Sequence, residues 1–142
     1  MANEQSLQNH ARYEPLYHFV AFPLLVANLL HAFTRLMPLS SDSLFRLGLA
    51  LALVLLAWYA RTFALTAQNR IIRLEERLRL RDLAPELAAQ SARIAPGQWT
   101  ALRFASDDEL PELVRQVLDG KLASGADIKK AIRHWRADHL RV

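Results

Sequence analysis

Cysteine is absent from this chain, which excludes disulfides, thiolate metal sites and thiol nucleophiles in one step. Glycine occurs only four times in 142 residues, too sparsely for a glycine-rich phosphate loop. No period-two strand pattern runs for any length, and no repeat or low-complexity tract is present. The metalloprotease pattern HExxH and the nucleophile elbow GxSxG are missing. No catalytic residue, cofactor or small-molecule substrate is therefore indicated. What remains is helix-forming sequence with an uneven distribution of charge.

Apolar residues concentrate between Tyr17 and Leu65, and charges crowd the rest. The net charge is +4, and its excess sits just past the apolar region. There Arg61, Arg70, Arg73, Arg77, Arg79 and Arg81 outweigh Glu75, Glu76 and Asp82. Residues 1–16 are polar and lack the basic start of a signal peptide, and Pro15 favours a helix start.

Two windows have the length of a membrane crossing, roughly 20 residues for a hydrocarbon core of ~30 Å. The first, 17–37, is interrupted by Pro23, Asn28, His31, Thr34 and Arg35. Pro23 lies early enough to kink or start the helix rather than break it. Asn28, His31 and Arg35 follow i, i+3, i+7 spacing and share one face. Polar groups are costly in lipid, so this face is expected to turn toward the second span or a partner chain. A structural contact between helices explains it more simply than a transport or metal site.

Pro38 to Ser43 reads as a short turn in which Asp42 or Ser43 can cap the next helix, making the spans antiparallel neighbours. The second span, 44–65, has an uncharged centre from Leu47 to Ala60 and Arg46 and Arg61 at its edges. Trp58 and Tyr59 beside Arg61 fit an aromatic belt at a membrane surface. A buried soluble hairpin is the alternative, but so small a chain has little to wrap around an all-round apolar helix. The arginine excess after the second span predicts a cytoplasmic tail, and a hairpin then puts both termini there.

No proline or glycine interrupts the continuation through 66–84, so the second span is expected to extend as one long helix. Ala67, Ile71, Leu74 and Leu78 form a stripe at helical spacing, expected to pack on the chain's own C-terminal region in preference to a second copy. Glu75–Arg79, Arg73–Glu76 and Arg70–Glu75 are candidate ion pairs. The remainder, 85–142, reads as a small bundle of short helices. One runs from Pro85 to about Ala92 and another opens at Pro96. A third is apolar at Leu110, Leu113, Val114, Val117 and Leu118 and ends at Gly120. Its start is capped by Ser106 (with Glu109 as a capping box) or by Asp108. Ser124 with Asp127 starts a last helix carrying Ile128, Ala131, Ile132 and Trp135 on its buried face. The expected core holds Trp99, Leu102, Leu113, Val117, Ile132 and Trp135.

Of the histidines, His10 and His18 precede the first span, His31 lies in it, and His134 and His139 fall near the end. They do not have metal-ligand spacing. The acidic run Asp107-Asp108-Glu109 is explained as negative charge at a helix start. Arg61, Arg70, Arg73 and Arg77 read first as a topology signal, then as contacts for anionic lipid. Nucleic-acid binding through Lys129, Lys130, Arg133 and Arg136 is a third reading. Nearby Asp107, Asp108, Glu109, Glu112, Asp127 and Asp138 oppose it.

Several segments together resemble a family of small bacterial membrane proteins classed as a domain of unknown function. They are Asn9-His10 with Arg12, Pro15, Tyr17 and His18; Arg61, Phe63-Ala64 and Gln68-Asn69-Arg70; Ile72-Arg73, Glu75-Glu76 and Leu78-Arg79; Ala101 to Pro111; and Ile128-Lys129-Lys130, Ile132, Trp135 to Asp138 and Arg141-Val142. Asn69 departs from the family's pattern, which carries an acidic residue there. The resemblance implies a two-span protein with a cytoplasmic helical tail and implies no activity. The expected whole is an all-α protein of the bacterial inner membrane, a non-enzymatic anchor whose tail binds a protein partner or a second copy. The alternative is an accessory or transport-related subunit using Asn28, His31 and Arg35.

Overall fold

The structure, a computed structural model, describes residues 6–7 and 13–138. Among these, helix is the only regular element apart from one isolated antiparallel bridge between Ala105 and Trp135. The chain divides into two units, Arg12–Leu65 and, with Ser6 and Leu7, Thr66–Val142.

The first unit begins with a π-wound segment, Leu16–Ala21, that runs directly into α1, Phe22–Thr34. The N–H of Phe22 donates to Tyr17 O, the wider π spacing. Pro23 supplies the reason: it has no N–H to offer Phe19, so the ladder widens just before it and the helix continues. α1 stops at Thr34, three residues short of the expected Met37. Arg35 leaves helical geometry at φ −98°, ψ 14°. Arg35 N and Leu36 N still donate back, to His31 O and Phe33 O.

α2, Ser41–Leu83, is a single helix of 43 residues. Its cap is not Asp42 or Ser43 alone. Ser43 Oγ accepts from Ser40 N at 2.9 Å and Ser40 Oγ accepts from Ser43 N at 3.1 Å, so two serines three apart close the start reciprocally. Both α1 and α2 are long and apolar enough to cross a membrane, α1 when counted with its π segment. At the end of the pair away from the turn, Tyr17 Oη donates to Ala57 O at 2.8 Å and the rings of Phe22 and Trp58 lie 6.5 Å apart.

In the second unit α2's last turns are core. Leu80 and Ala84 are buried with Leu87, Ile94, Trp99, Leu102, Phe104, Leu110, Leu113, Val114, Val117, Ile128 and Ile132. The short elements around them are α3 (Pro85–Ala88), a 3-10 turn (Ser91–Arg93), α4 (Pro96–Leu102), α5 (Leu110–Leu118) and α6 (Gly125–Ala131). Three open on proline in the first turn, where the missing N–H has no helical partner to lose. The segment expected as one helix from Pro85 to Ala92 is split between α3 and the 3-10 turn. Gly120, at φ 78°, reverses the chain after α5. Gly125 lets α6 cross α4 closely, since a Cβ there would meet Gly97 O at 3.2 Å.

Of the expected core, Trp99, Leu102, Leu113, Val117 and Ile132 are buried and Trp135 is partly buried against them. Trp135 is not on a helix, however. α6 ends at Ala131 and Ile132 turns extended. The backbone N–H groups that would continue the helix go elsewhere. Arg133 N and His134 N donate to the Glu109 carboxylate at 3.1 and 3.0 Å, and Arg136 N donates to Phe104 O at 2.7 Å.

Candidate functional site: a buried carboxylate clamp and two clefts of the hairpin

Glu76 is the centre of the second unit's polar structure. It lies on the inner face of α2 between Ile72 and Leu80, and only 5% of it is exposed. An isolated carboxylate there would be strongly disfavoured. Two guanidinium groups compensate: Arg79 Nη1 at 2.9 Å and Arg136 Nη1 at 3.6 Å. Arg79 also donates to Asp107 at 2.6 Å and to Ala105 O at 2.7 Å. Arg103 pairs with Asp138 at 3.1 Å and its guanidinium lies over the Phe104 ring, which stacks on Trp135 at 5.1 Å. Ser106 N donates to His134 O at 3.1 Å.

Three sequence-distant segments thus meet: Glu76 and Arg79 of α2, the run Arg103 to Glu109, and Trp135 to Asp138. Burial raises the Glu76 carboxyl above its ordinary range, and Arg79 and then Arg136 pull against that rise without reversing it. The arrangement holds charge in place by ion pairs between segments distant in sequence. Its chemistry is that of a clamp.

This corrects several sequence-based assignments. Arg79 pairs with Glu76 and Asp107 rather than Glu75, and the pairs Arg73–Glu76 and Arg70–Glu75 do not form. The acidic run does stand at the start of α5, directly before Leu110, but two of its side chains also reach other segments: Asp107 holds Arg79 and Glu109 accepts the N–H groups of Arg133 and His134. Neither Ser106 nor Asp108 caps α5. That helix starts at Leu110 behind Glu109 without any side-chain cap; the Glu109 carboxylate instead accepts the N–H groups of Arg133 and His134. Ser124 does cap α6: its Oγ accepts from Asp127 N at 3.2 Å, and the Asp127 carboxylate accepts from Ser124 N at 3.0 Å. The Ser124 hydroxyl, donating to the Asp127 carboxylate at 2.6 Å, and then Ser124 N lower that carboxyl's pKa.

The stripe Ala67, Ile71, Leu74, Leu78 is exposed, not buried against the C-terminal elements. The covered face of α2 carries Ile72, Glu76 and Leu80. A charged residue at its centre hid that face from a reading based on apolar spacing. The signal available was the pairing of Glu76 with Arg79 in a helix otherwise rich in exposed arginine.

Two clefts lie in the first unit. One, of about 250 Å³, is lined mainly by Tyr17, His18, Phe22, Trp58 and Arg61. Arg61 sits 5.5 Å over the Tyr17 ring. The other, of about 470 Å³, lies at the turn among His31, Arg35, Asp42, Ser43 and Arg46. Arg46 is paired there with Asp42 at 2.9 Å. His31 and Arg35 are brought together as their spacing predicted. Asn28 is exposed and outside both clefts. The half-buried side of α1 carries Phe22, Leu25, Val26, Leu29 and Ala32, whereas Asn28 is exposed and His31 and Arg35 meet only the start of α2, in the cleft with Asp42, Ser43 and Arg46. Arg70 and Arg77 are exposed, Arg61 and Arg73 half-buried. Asn9, His10, Arg12, His139, Arg141 and Val142 lie outside the described residues.

The fold and clamp define an all-helical protein with two helices of membrane-crossing length and a second unit closed by buried ion pairs. The chain belongs to DUF6526, a family of unknown function, whose model matches residues 1–142. No curated protein and no solved structure matches it.

Proposed function

We propose that the protein is a bacterial inner-membrane anchor. In this reading Leu16–Thr34 and the first half of α2 cross the bilayer, both termini are cytoplasmic, and the unit from Thr66 onward is a non-enzymatic interaction domain. The observation that carries it is apolar exposure. Only 6% and 11% of the two spanning windows are buried by protein. A soluble core helix is covered by its neighbours, whereas here Phe19, Leu24, Leu30, Phe33, Phe45 and Leu56 stand open. Lipid is the solvent that suits such a surface. Arg61 over Tyr17, beside Trp58, has the composition of a headgroup-level belt. With exposed Arg70 and Arg77, and with Arg73, it supports contact with anionic lipid.

The test uses the absence of cysteine. Full-length variants with Leu39→Cys in the turn or Ala92→Cys in the tail are labelled in intact cells with a membrane-impermeant maleimide. The expected result is a carbonate-resistant membrane protein, with Leu39→Cys labelled from outside and Ala92→Cys labelled only after lysis. Recovery in the soluble fraction without detergent would sink the reading. The polar-path alternative gains no support from an Asn28 set apart from the cleft of His31 and Arg35. Nucleic-acid binding is weakened by the pairing of Arg79, Arg103 and Arg136 with carboxylates.

A further inference from the structure

We propose that Ile71, Leu74 and Leu78 of α2 form the seam of a parallel, in-register pairing with a second copy of the chain. These residues are 57%, 60% and 43% exposed, on nearly the opposite side of the helix from the covered Ile72, Glu76 and Leu80. The second unit therefore leaves an apolar stripe uncovered along its own helix.

The flanking charges say what covers it. With Ala67 before them, the three residues follow the alternating four–three spacing of a coiled-coil seam, Ile71 and Leu78 at a positions and Ala67 and Leu74 at d positions. Arg70 and Arg77 then fall on one flank, immediately before each a position. Glu75 and Asp82 fall on the other flank. In a parallel pair each residue preceding an a position faces the partner-helix residue five places further on. Arg70 thus meets Glu75 of the second copy and Arg77 meets its Asp82, and twofold symmetry repeats both contacts.

An antiparallel pair sets arginine against arginine and carboxylate against carboxylate. A lipid surface is a poorer occupant, because an interfacial helix carries cations on both borders of its apolar face and this one carries carboxylates on one of them. Among the described residues, Arg70, Glu75 and Arg77 are in no ion pair, and Asp82 has only the exposed Arg81 at 3.9 Å. The second copy therefore displaces no strong contact.

The seam covers about two heptads, so the pairing is weak for a free helix and gains from anything that concentrates two copies. It does not depend on the membrane reading, and its test is made before any fractionation. Full-length Leu74→Cys, Leu78→Cys and Asn69→Cys are treated in intact cells with a short bismaleimide. Asn69 is exposed on the side away from the stripe. The expected dimer yield from Leu74→Cys and Leu78→Cys exceeds that from Asn69→Cys by about tenfold, reflecting seam geometry. Adding Arg70→Glu and Arg77→Glu to Leu74→Cys lowers the yield by about tenfold, and further adding Glu75→Arg and Asp82→Arg restores it. Equal yields at the three positions, absence of dimer at all of them, or failure of the second charge reversal to rescue the first would each overturn the proposal. The rescued variant separates lost pairing from lost folding.

Discussion

At the scale of the residue, Glu76 makes a pH-dependent contribution of its own to the second unit. Its carboxyl is raised above the ordinary value by burial, against the pull of Arg79 and Arg136. The folded state therefore binds this proton more tightly than the unfolded state. The resulting stability is fully present below the unfolded carboxylate range and is lost as pH rises through the raised folded-state pKa. Thermal midpoints of the wild type and Glu76→Gln, compared from pH about 4 to about 8, should show the wild type falling relative to the variant as pH increases. A difference that does not change with pH would remove this account. The partner arginine gives the complementary expectation. Arg79→Ala strands a buried carboxylate beside a single, longer contact and should cost about 3–5 kcal/mol. Arg115→Ala, which opens an exposed pair with Glu86 at 3.5 Å, should cost less than about 1 kcal/mol. Denaturant unfolding followed through the buried Trp99 measures both.

At the scale of the element, α2 presents two faces that simple hydrophobic spacing ranks in the wrong order. Leu80 is fully buried and Leu74 exposed. Leu80→Ala should therefore cost about 2–5 kcal/mol, whereas Leu74→Ala in a dilute, unpaired sample should stay within about 0.5 kcal/mol. Similar costs for the two would mean that the faces are assigned incorrectly. The same helix shows what a sequence can and cannot disclose. Its length was legible, because no proline or glycine interrupts it after Gly48 and both its apolar and charged halves favour helix. Its inner face was not, because Glu76 is held there by Arg79 three residues on, and the groups that complete the arrangement, Asp107, Ala105 O and Arg136, lie far along the chain. α6 shows the same limit: apolar spacing carries the helix on to Trp135, but Glu109 takes the backbone N–H groups of Arg133 and His134. Caps that depend on neighbours in sequence, such as Ser124 with Asp127, were readable. Bonds between distant segments were not. Of the hairpin, the placement of His31 beside Arg35 followed from spacing, whereas the Tyr17–Ala57 bond and the stacking of Arg61 on Tyr17 required the two helices to be set side by side.

At the scale of the whole molecule, the two units owe their stability to different sources. The first has almost no buried side chains: Ser43 and Ala50 are its buried residues among those described. Its helices satisfy their backbone internally, and on the proposed membrane reading lipid would surround their exposed apolar side chains. The second has a core of its own, with Trp99, Phe104 and Leu102 fully enclosed, and a clamp that ties its first and last segments together. Water-soluble denaturants act on the exposure of buried surface, so they should act chiefly on the second unit. In detergent solution, urea is expected to release the environment of Trp99 and Trp135 in one cooperative step while much of the helical far-ultraviolet signal survives. Arg79→Ala should move that step to lower urea without changing the surviving helix. The converse change, Leu56→Asp in the exposed apolar part of α2, should reduce membrane recovery while leaving the tryptophan step in place. A single transition that abolishes all helix and all tryptophan signal together, shifted equally by both substitutions, would show that the units are energetically one. The separation of anchor from interaction domain would then have to be given up.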